Sequence, residues 1–191
     1  MSGCRTGTSP FRLQRAAAAL RDGGVVAYPT EAVWGLGCAP WQAAAVERLL
    51  ALKGRPAARG LILIAADLGQ LTPFLAPLPG ELAGEIHASW PGPVTWVLPA
   101  ADQTPGWLTG GRDTVAVRVT AHPVAAALCR AFGGALVSTS ANRCAGRPAR
   151  SASAVRRYFG ARIDALVPGA LGGLARATPI RDGRTGAYLR V

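Results

Sequence analysis

Leu136-Val137-Ser138-Thr139-Ser140-Ala141-Asn142 passes from an apolar run into three consecutive hydroxyls, a small spacer and an amide. That order describes a buried strand that delivers hydrogen-bonding groups to a cleft. In open α/β sheets ligands bind beyond the carboxyl ends of strands, where hydroxyls and an amide can meet a phosphate or carboxylate. The same residue types also leave strands as plain Ser/Asn turns, and taken alone the stretch fits a turn better. Lys53-Gly54-Arg55-Pro56 shifts the reading toward a ligand, because Lys53 is the only lysine among 21 basic residues. A chain that otherwise takes its positive charge from arginine places there one compact ammonium with three rotatable donors, a form suited to phosphate.

Working outward, residues 123–132 read as a helix closed by Gly133-Gly134, and residues 114–119 alternate as a strand interrupted by Arg118. An arginine in an apolar strand is costly without a partner, so either a protein acid or an anionic ligand should meet it. Toward the N-terminus, Ser9-Pro10 can cap a helix ended by Gly23-Gly24, and residues 25–28 read as a short buried strand. That strand runs into Pro29-Thr30-Glu31-Ala32-Val33-Trp34-Gly35-Leu36-Gly37-Cys38, whose glycines allow close backbone approach. Thr30 and Glu31 either line a ligand site or cap the next turn, and the cap is the simpler reading. Residues 42–53 have helical spacing with Gly54 as the stop, which puts Lys53 and Arg55 at a helix exit. Basic side chains there either complement the helix dipole, worth roughly 0.3–1 kcal/mol, or meet a ligand, and the lone lysine favours the ligand.

Residues 61–65 form a second apolar strand, and Asp67 caps a helix carrying Leu68, Leu71 and Phe74. Residues 81–89 read as helical. Trp90-Pro91-Gly92-Pro93 turns rigidly into a strand with Val94, Trp96 and Leu98 on one face and Thr95 and Val97 on the other. Residues 100–113 are the longest loop and a candidate lid. Ser151 caps a helix through Phe159, and residues 165–167, 178–180 and 188–191 close the chain as short strands with turns at Asp182-Gly183 and Thr185-Gly186. The alternation predicts an α/β (α+β) fold with a twisted mixed sheet, as one domain over residues 1–191.

Half the residues are hydrophobic and 16% are charged, which excludes a disordered chain. No apolar run approaches the ~20 residues that span a bilayer, and no signal-peptide core opens the chain, so a cytoplasmic location is expected. Cys4, Cys38, Cys129 and Cys144 include no C-x-x-C pair, and His87 and His122 stand alone, so a structural metal is disfavoured. The net charge is +11, and between Asp113 and Asp164 there is no acid while Arg118, Arg130, Arg143, Arg147, Arg150, Arg156, Arg157 and Arg162 all fall there. Such a stretch is a polyanion surface or a solvated face, and charge alone would allow weak tRNA or double-stranded RNA binding.

Taken together, Tyr28-Pro29-Thr30-Glu31-Ala32-Val33-Trp34-Gly35-Leu36-Gly37, Leu52-Lys53-Gly54-Arg55-Pro56, Trp90-Pro91-Gly92-Pro93-Val94-Thr95, Val117-Arg118-Val119 and Ser138-Thr139-Ser140-Ala141-Asn142 resemble the YrdC-like threonylcarbamoyl-AMP synthases in their short bacterial TsaC form. The resemblance covers nearly the whole chain. It implies an open α/β fold with a concave basic groove, and synthesis of threonylcarbamoyl-adenylate and pyrophosphate from L-threonine, bicarbonate and ATP. The product would serve N6-threonylcarbamoyl modification of adenosine 37 in tRNA, with TsaB, TsaD and TsaE as partners and magnesium carried by the nucleotide. Residue by residue, it implies Lys53 and Arg55 as catalytic and, with Ser140, Asn142 and Arg190, as nucleotide-binding; Thr30, Arg118, Ser138 and Thr178 are implied around threonine. The sequence departs from the family at Cys144, where a serine is usual and a residue is added before Gly146, and at Ala177, where a proline is usual before the hydroxyl of Thr178. The alternative is a non-catalytic protein that binds structured RNA through its arginine-rich face.

Overall fold

Capping chemistry sets the first helix of the computed structural model, which describes residues 8–78, 80, 82–143 and 146–190. Ser9 Oγ accepts the Arg12 N–H, Pro10 occupies a position where its missing donor costs nothing, and α1 runs Pro10–Arg21. There follow β1 (Val26–Pro29), β2 (Trp34–Cys38), α2 (Ala43–Lys53), β3 (Ile62–Ala65), α3 (Ala83–Ala88), β4 (Thr95–Pro99), α4 (Gly106–Thr109) and β5 (Thr114–Val119). The chain closes with α5 (Pro123–Phe132), β6 (Leu136–Ser140), α6 (Ala152–Phe159), β7 (Ala165–Leu166), β8 (Ile180–Asp182) and β9 (Tyr188–Arg190).

The strands form one mixed sheet in the order β7-β1-β2-β6-β3-β5-β4-β8-β9, with β6 antiparallel to both neighbours and β3 parallel to β5. Side chains alternate across a strand, so the register sorts each row onto one face. Leu36, Val137, Leu63, Val117 and Trp96 fall on the face packed by Val46 and Leu49 of α2, Ile86 of α3 and Phe159 of α6. On the opposite face Leu13 and Leu20 of α1 and Val124 and Leu128 of α5 cover Tyr28, Ile64 and Leu136. The next row on that second face, Ser138, Ile62, Ala116 and Val97, is paired strand to strand and lines an open cavity.

The predicted mixed α/β sheet is the observed one, with three local corrections. β2 forms in the glycine-containing stretch to which no element was assigned, because Gly35 and Gly37 obscure the strand pattern. Residues 67–74 make two single 3₁₀ turns in place of a helix, since Pro73 interrupts the backbone ladder, although Asp67 Oδ1 does accept the Gln70 N–H. Residues 100–113 are not a loose lid: they contain α4, Leu61 N–H bonds Leu108 O at 2.8 Å, and Trp107 Nε1 donates to Pro40 O at 3.1 Å. β8 starts later than expected, at Ile180 instead of residue 178, while β9 starts at Tyr188 as expected, and residues 81 and 191 of the expected elements lie outside the described residues.

Candidate functional site

The β1–β2 hairpin owes its glycines to a neighbour within the protein. The Tyr28 ring lies flat across β2, so a Cβ at Gly37 would stand 2.9 Å from Tyr28 Cε1 and 2.6 Å from Val137 O, and one at Gly35 would stand 3.3 Å from Tyr28 Cε2. The Tyr28 hydroxyl reaches the side of Ser138 without a hydrogen bond of normal geometry, and burial pushes its phenol well above the usual range. The close backbone approach expected of these glycines is therefore made to a tyrosine.

The cavity has a volume of about 980 Å³ and is lined at one end by Thr30, Arg118, Ser138, Thr178 and Arg190. Arg118 is 5% exposed and Glu31 6%. Arg118 Nη2 donates to Glu31 Oε2 at 3.2 Å, and its Nη1 donates to Thr178 Oγ1 at 2.8 Å and Thr95 Oγ1 at 3.2 Å. Thr120 Oγ1 donates to the other Glu31 oxygen at 2.5 Å, so that carboxylate is satisfied on both sides. Arg118 Nε has no partner among the described residues. Arg190 Nη2 donates to Thr178 O at 2.7 Å, and burial together with the nearby Arg118 charge lowers its pKa. Two guanidiniums held close around hydroxyls make a place where an anionic group is stabilised. Thr30, which lines the cavity, donates its Oγ1 hydrogen to Val33 O at 2.7 Å.

Lys53, the last residue of α2, is turned inward onto the end of β6. Its Nζ donates to Ser140 O at 2.5 Å, Asn142 O at 2.9 Å and Asn142 Oδ1 at 3.0 Å. Ser140 Oγ donates to the same Asn142 Oδ1 at 2.6 Å, and Asn142 Nδ2 donates to Gly146 O at 2.7 Å. Gly54 ends α2 in the left-handed region at φ 60°, which frees the chain to carry Arg55 to the cavity wall. Ser140 and Arg55 line the cavity, and Lys53 and Asn142 are bonded to Ser140 in the same turn. Cys144, at which the sequence departs from the family pattern, lies outside the described residues.

The structure thus gathers Thr30, Arg118, Ser138, Thr178 and Arg190 at one end, and joins Lys53, Ser140 and Asn142 in one hydrogen-bonded turn next to Arg55. Sequence reading missed Thr95 and Thr120 and took Glu31 for a cap; the signal was the counterion that Arg118 required. His122 caps α5 through Nδ1, which accepts the Ala125 N–H, and its Nε2 lies 3.0 Å from Ala170 O, the pattern of a neutral ring whose pKa burial lowers. Among the described residues no group of three or more His, Cys, Asp or Glu could hold a metal ion, and no helix is long and apolar enough to cross a membrane.

A sheet-floored cavity of this size, with guanidiniums and hydroxyls in its wall, has the dimensions and charge that suit a small anionic ligand such as a nucleotide. The family model for Sua5/YciO/YrdC, described as telomere recombination, matches residues 18–189, and the chain belongs to that family. It is 74% identical, over 100% of both chains, to a threonylcarbamoyl-AMP synthase of Halorhodospira halophila. It is 59% identical to the protein of that name from Alkalilimnicola ehrlichii, covering 97% of this chain and 98% of the relative. Among solved structures, P. abyssi Sua5 complexed with L-threonine superposes with a TM-score of 0.86 at 34% identity over 91% of this chain. This chain spans about half of that protein, 51% of its length.

Proposed function

We propose that this chain is a threonylcarbamoyl-AMP synthase that acts on L-threonine, bicarbonate and ATP. The observation that carries the reading is the buried Arg118 end of the cavity, with Arg190, Ser138, Thr30 and Thr178 around it. An amino acid presents a carboxylate, an amine and, in threonine, a hydroxyl, and this end offers a guanidinium and several hydroxyls within one enclosure. The curated relatives of that name, and the likeness to a Sua5 that binds L-threonine, support it.

The chemistry divides into two steps. The threonine amine adds to carbon dioxide, supplied by bicarbonate with loss of water, and releases a proton to leave a carbamate. A carbamate oxygen then attacks the α-phosphorus of ATP; the new P–O bond forms as the bond to the β-phosphate oxygen breaks, and pyrophosphate leaves with that electron pair. In this reading Arg118 and its hydroxyls fix the threonine, Arg55 faces the phosphates, Ser140 contacts the nucleotide, and Arg190 closes over it. Lys53 and Asn142 hold the end of β6 in place and thereby act on the nucleotide largely through Ser140. Positioning and opposed charge supply much of the acceleration in such a transfer. Magnesium would arrive on the nucleotide phosphates and neutralise part of their charge, since the polar lining is mostly arginines and hydroxyls and its carboxylate, Asp182, accepts the Arg184 and Thr185 N–H groups of the turn after β8.

The adenylate would serve tRNA threonylcarbamoylation, with the other proteins of that pathway as partners in the cytoplasm, from one domain spanning residues 1–191. The rival reading, RNA binding without catalysis, leaves the Arg118–Glu31–Thr178 arrangement without a purpose, because backbone phosphates are met by exposed cations. The deciding experiment is pyrophosphate release with threonine, bicarbonate and ATP omitted in turn. Release should require all three, and release independent of threonine would overturn the assignment.

A further inference from the structure

The buried phenol of Tyr28 carries a polar group that the packing of the sheet does not account for. We infer that Tyr28 is a positioning residue for threonine: when the amino acid is seated, its hydroxyl donates to Ser138 Oγ and thereby turns the Ser138 proton toward the substrate carboxylate. This role rests on the synthase reading for its substrate and on the placement of the Tyr28 ring for its geometry.

In the sheet register Tyr28 pairs with Gly35, whose neighbour on β6 is Ser140, while Gly37 pairs with Ser138. A side chain standing straight up from β1 would stay in the Gly35 row. The Tyr28 ring instead leans diagonally over both glycines: a Cβ at Gly35 would meet Cε2 at 3.3 Å, and one at Gly37 would meet both Cε1 and the hydroxyl oxygen at 2.9 Å. The hydroxyl is thus delivered onto the row that contains Ser138, at the threonine end of the cavity. Glycines weaken a strand, and this pair makes room for the crossing.

The ring belongs to the apolar cluster of Val124, Cys129 and Leu136 and is 0% exposed, a place that phenylalanine would fill equally well. The hydroxyl adds nothing to that packing. It has no hydrogen-bond partner among the described residues, and burying it unpaired is unfavourable. Burial holds the phenol far above its ordinary pKa, and the nearby Ser138 hydroxyl and Arg118 charge oppose that rise without cancelling it, so at neutral pH the group is a donor. Ser138 has one proton to give and can accept on its oxygen. Accepting from Tyr28 commits the Ser138 proton to the cavity, at the Arg118 end, where a carboxylate receives it. Bonds in such a chain polarise one another, so each strengthens the other.

The test is a double-mutant cycle on the full chain with Tyr28→Phe, Ser138→Ala and the two combined. Calorimetric titration gives threonine affinity, and pyrophosphate release with threonine and ATP varied separately gives the two KM values. Tyr28→Phe should weaken threonine binding and raise its KM by roughly threefold to tenfold, the scale of one neutral hydrogen bond, with the ATP KM and the melting temperature as in the parent. Ser138→Ala should weaken threonine by itself, and adding Tyr28→Phe to it should cost nothing more. Unchanged threonine affinity in Tyr28→Phe, losses that add in the double variant, or equal weakening of threonine and ATP with a lowered melting temperature would each overturn the role while leaving the synthase reading in place. A parent protein that neither binds threonine nor needs it for pyrophosphate release would overturn both.

Discussion

Removing the Arg118 side chain tests the electrostatics on which the candidate site depends. In Arg118→Ala the Glu31 carboxylate, 6% exposed, keeps the Thr120 hydroxyl but loses its only ion-pair partner among the described residues, and the hydroxyls of Thr95 and Thr178 lose a donor. Leaving one member of a buried pair uncompensated typically costs about 3–5 kcal/mol. At about 2–4 °C per kcal/mol for a chain of this size, the melting temperature should fall by roughly 6–20 °C. The double variant Arg118→Met/Glu31→Gln removes both charges while keeping comparable volume, and it should recover more than half of that loss. Thermal unfolding followed by far-ultraviolet circular dichroism at neutral pH measures all three proteins, and addition of threonine should raise the melting temperature of the parent but not of Arg118→Ala. A fall below about 2 °C in the single variant, or a double variant no more stable than the single, would show that Glu31 does not balance Arg118.

Three further outcomes follow from individual contacts. Lys53→Ala strips the donors from Ser140 O and both Asn142 oxygens, so urea titration should show a loss of about 1.5–3 kcal/mol together with loss of pyrophosphate release, and Lys53→Arg should restore little of either. Gly37→Ala should destabilise by roughly 1–3 kcal/mol or more, because its Cβ would stand 2.6 Å from the Val137 carbonyl, and Tyr28→Phe should lose no stability in the same assay. Burial opposes ionisation of Asp164, but the Arg48 guanidinium and the Val25 N–H outweigh it and hold the carboxyl below its ordinary pKa. A depressed folded pKa gives stability that is present above the unfolded value near pH 4 and lost as pH falls through the folded one; Asp164→Asn should flatten that acid limb in melting scans, and an unchanged limb would assign the acid sensitivity elsewhere.

Much of the sheet was legible because local chemistry and periodicity agreed. Ser9, Asp67 and Ser151 cap where their side chains were read to cap, and Gly54 and Gly133 end α2 and α5 in the left-handed region. The strand at residues 34–38 was hidden because its glycines answer to the Tyr28 ring, a tertiary contact that no local pattern encodes. Pro73 broke a helix whose apolar spacing was otherwise consistent, since the spacing reports which residues are buried and not which ladder the backbone can complete.

The site divides along the same line. That Arg118 needed a counter-charge was readable from one strand, because burying a guanidinium has the same cost whatever its partner. Which acid would supply it was not, since Glu31 lies 87 residues away along the chain and meets it only through the fold. The solitary lysine carries the same lesson from the other direction. Its singularity was read as the mark of a ligand contact; in the structure the ammonium, 5% exposed, gathers three oxygens converging from one turn, a geometry that suits a compact ammonium better than a planar fork. The geometry of the Ser140–Asn142 turn thus accounts for a compact ammonium at this position, next to Arg55 and Ser140 of the cavity lining.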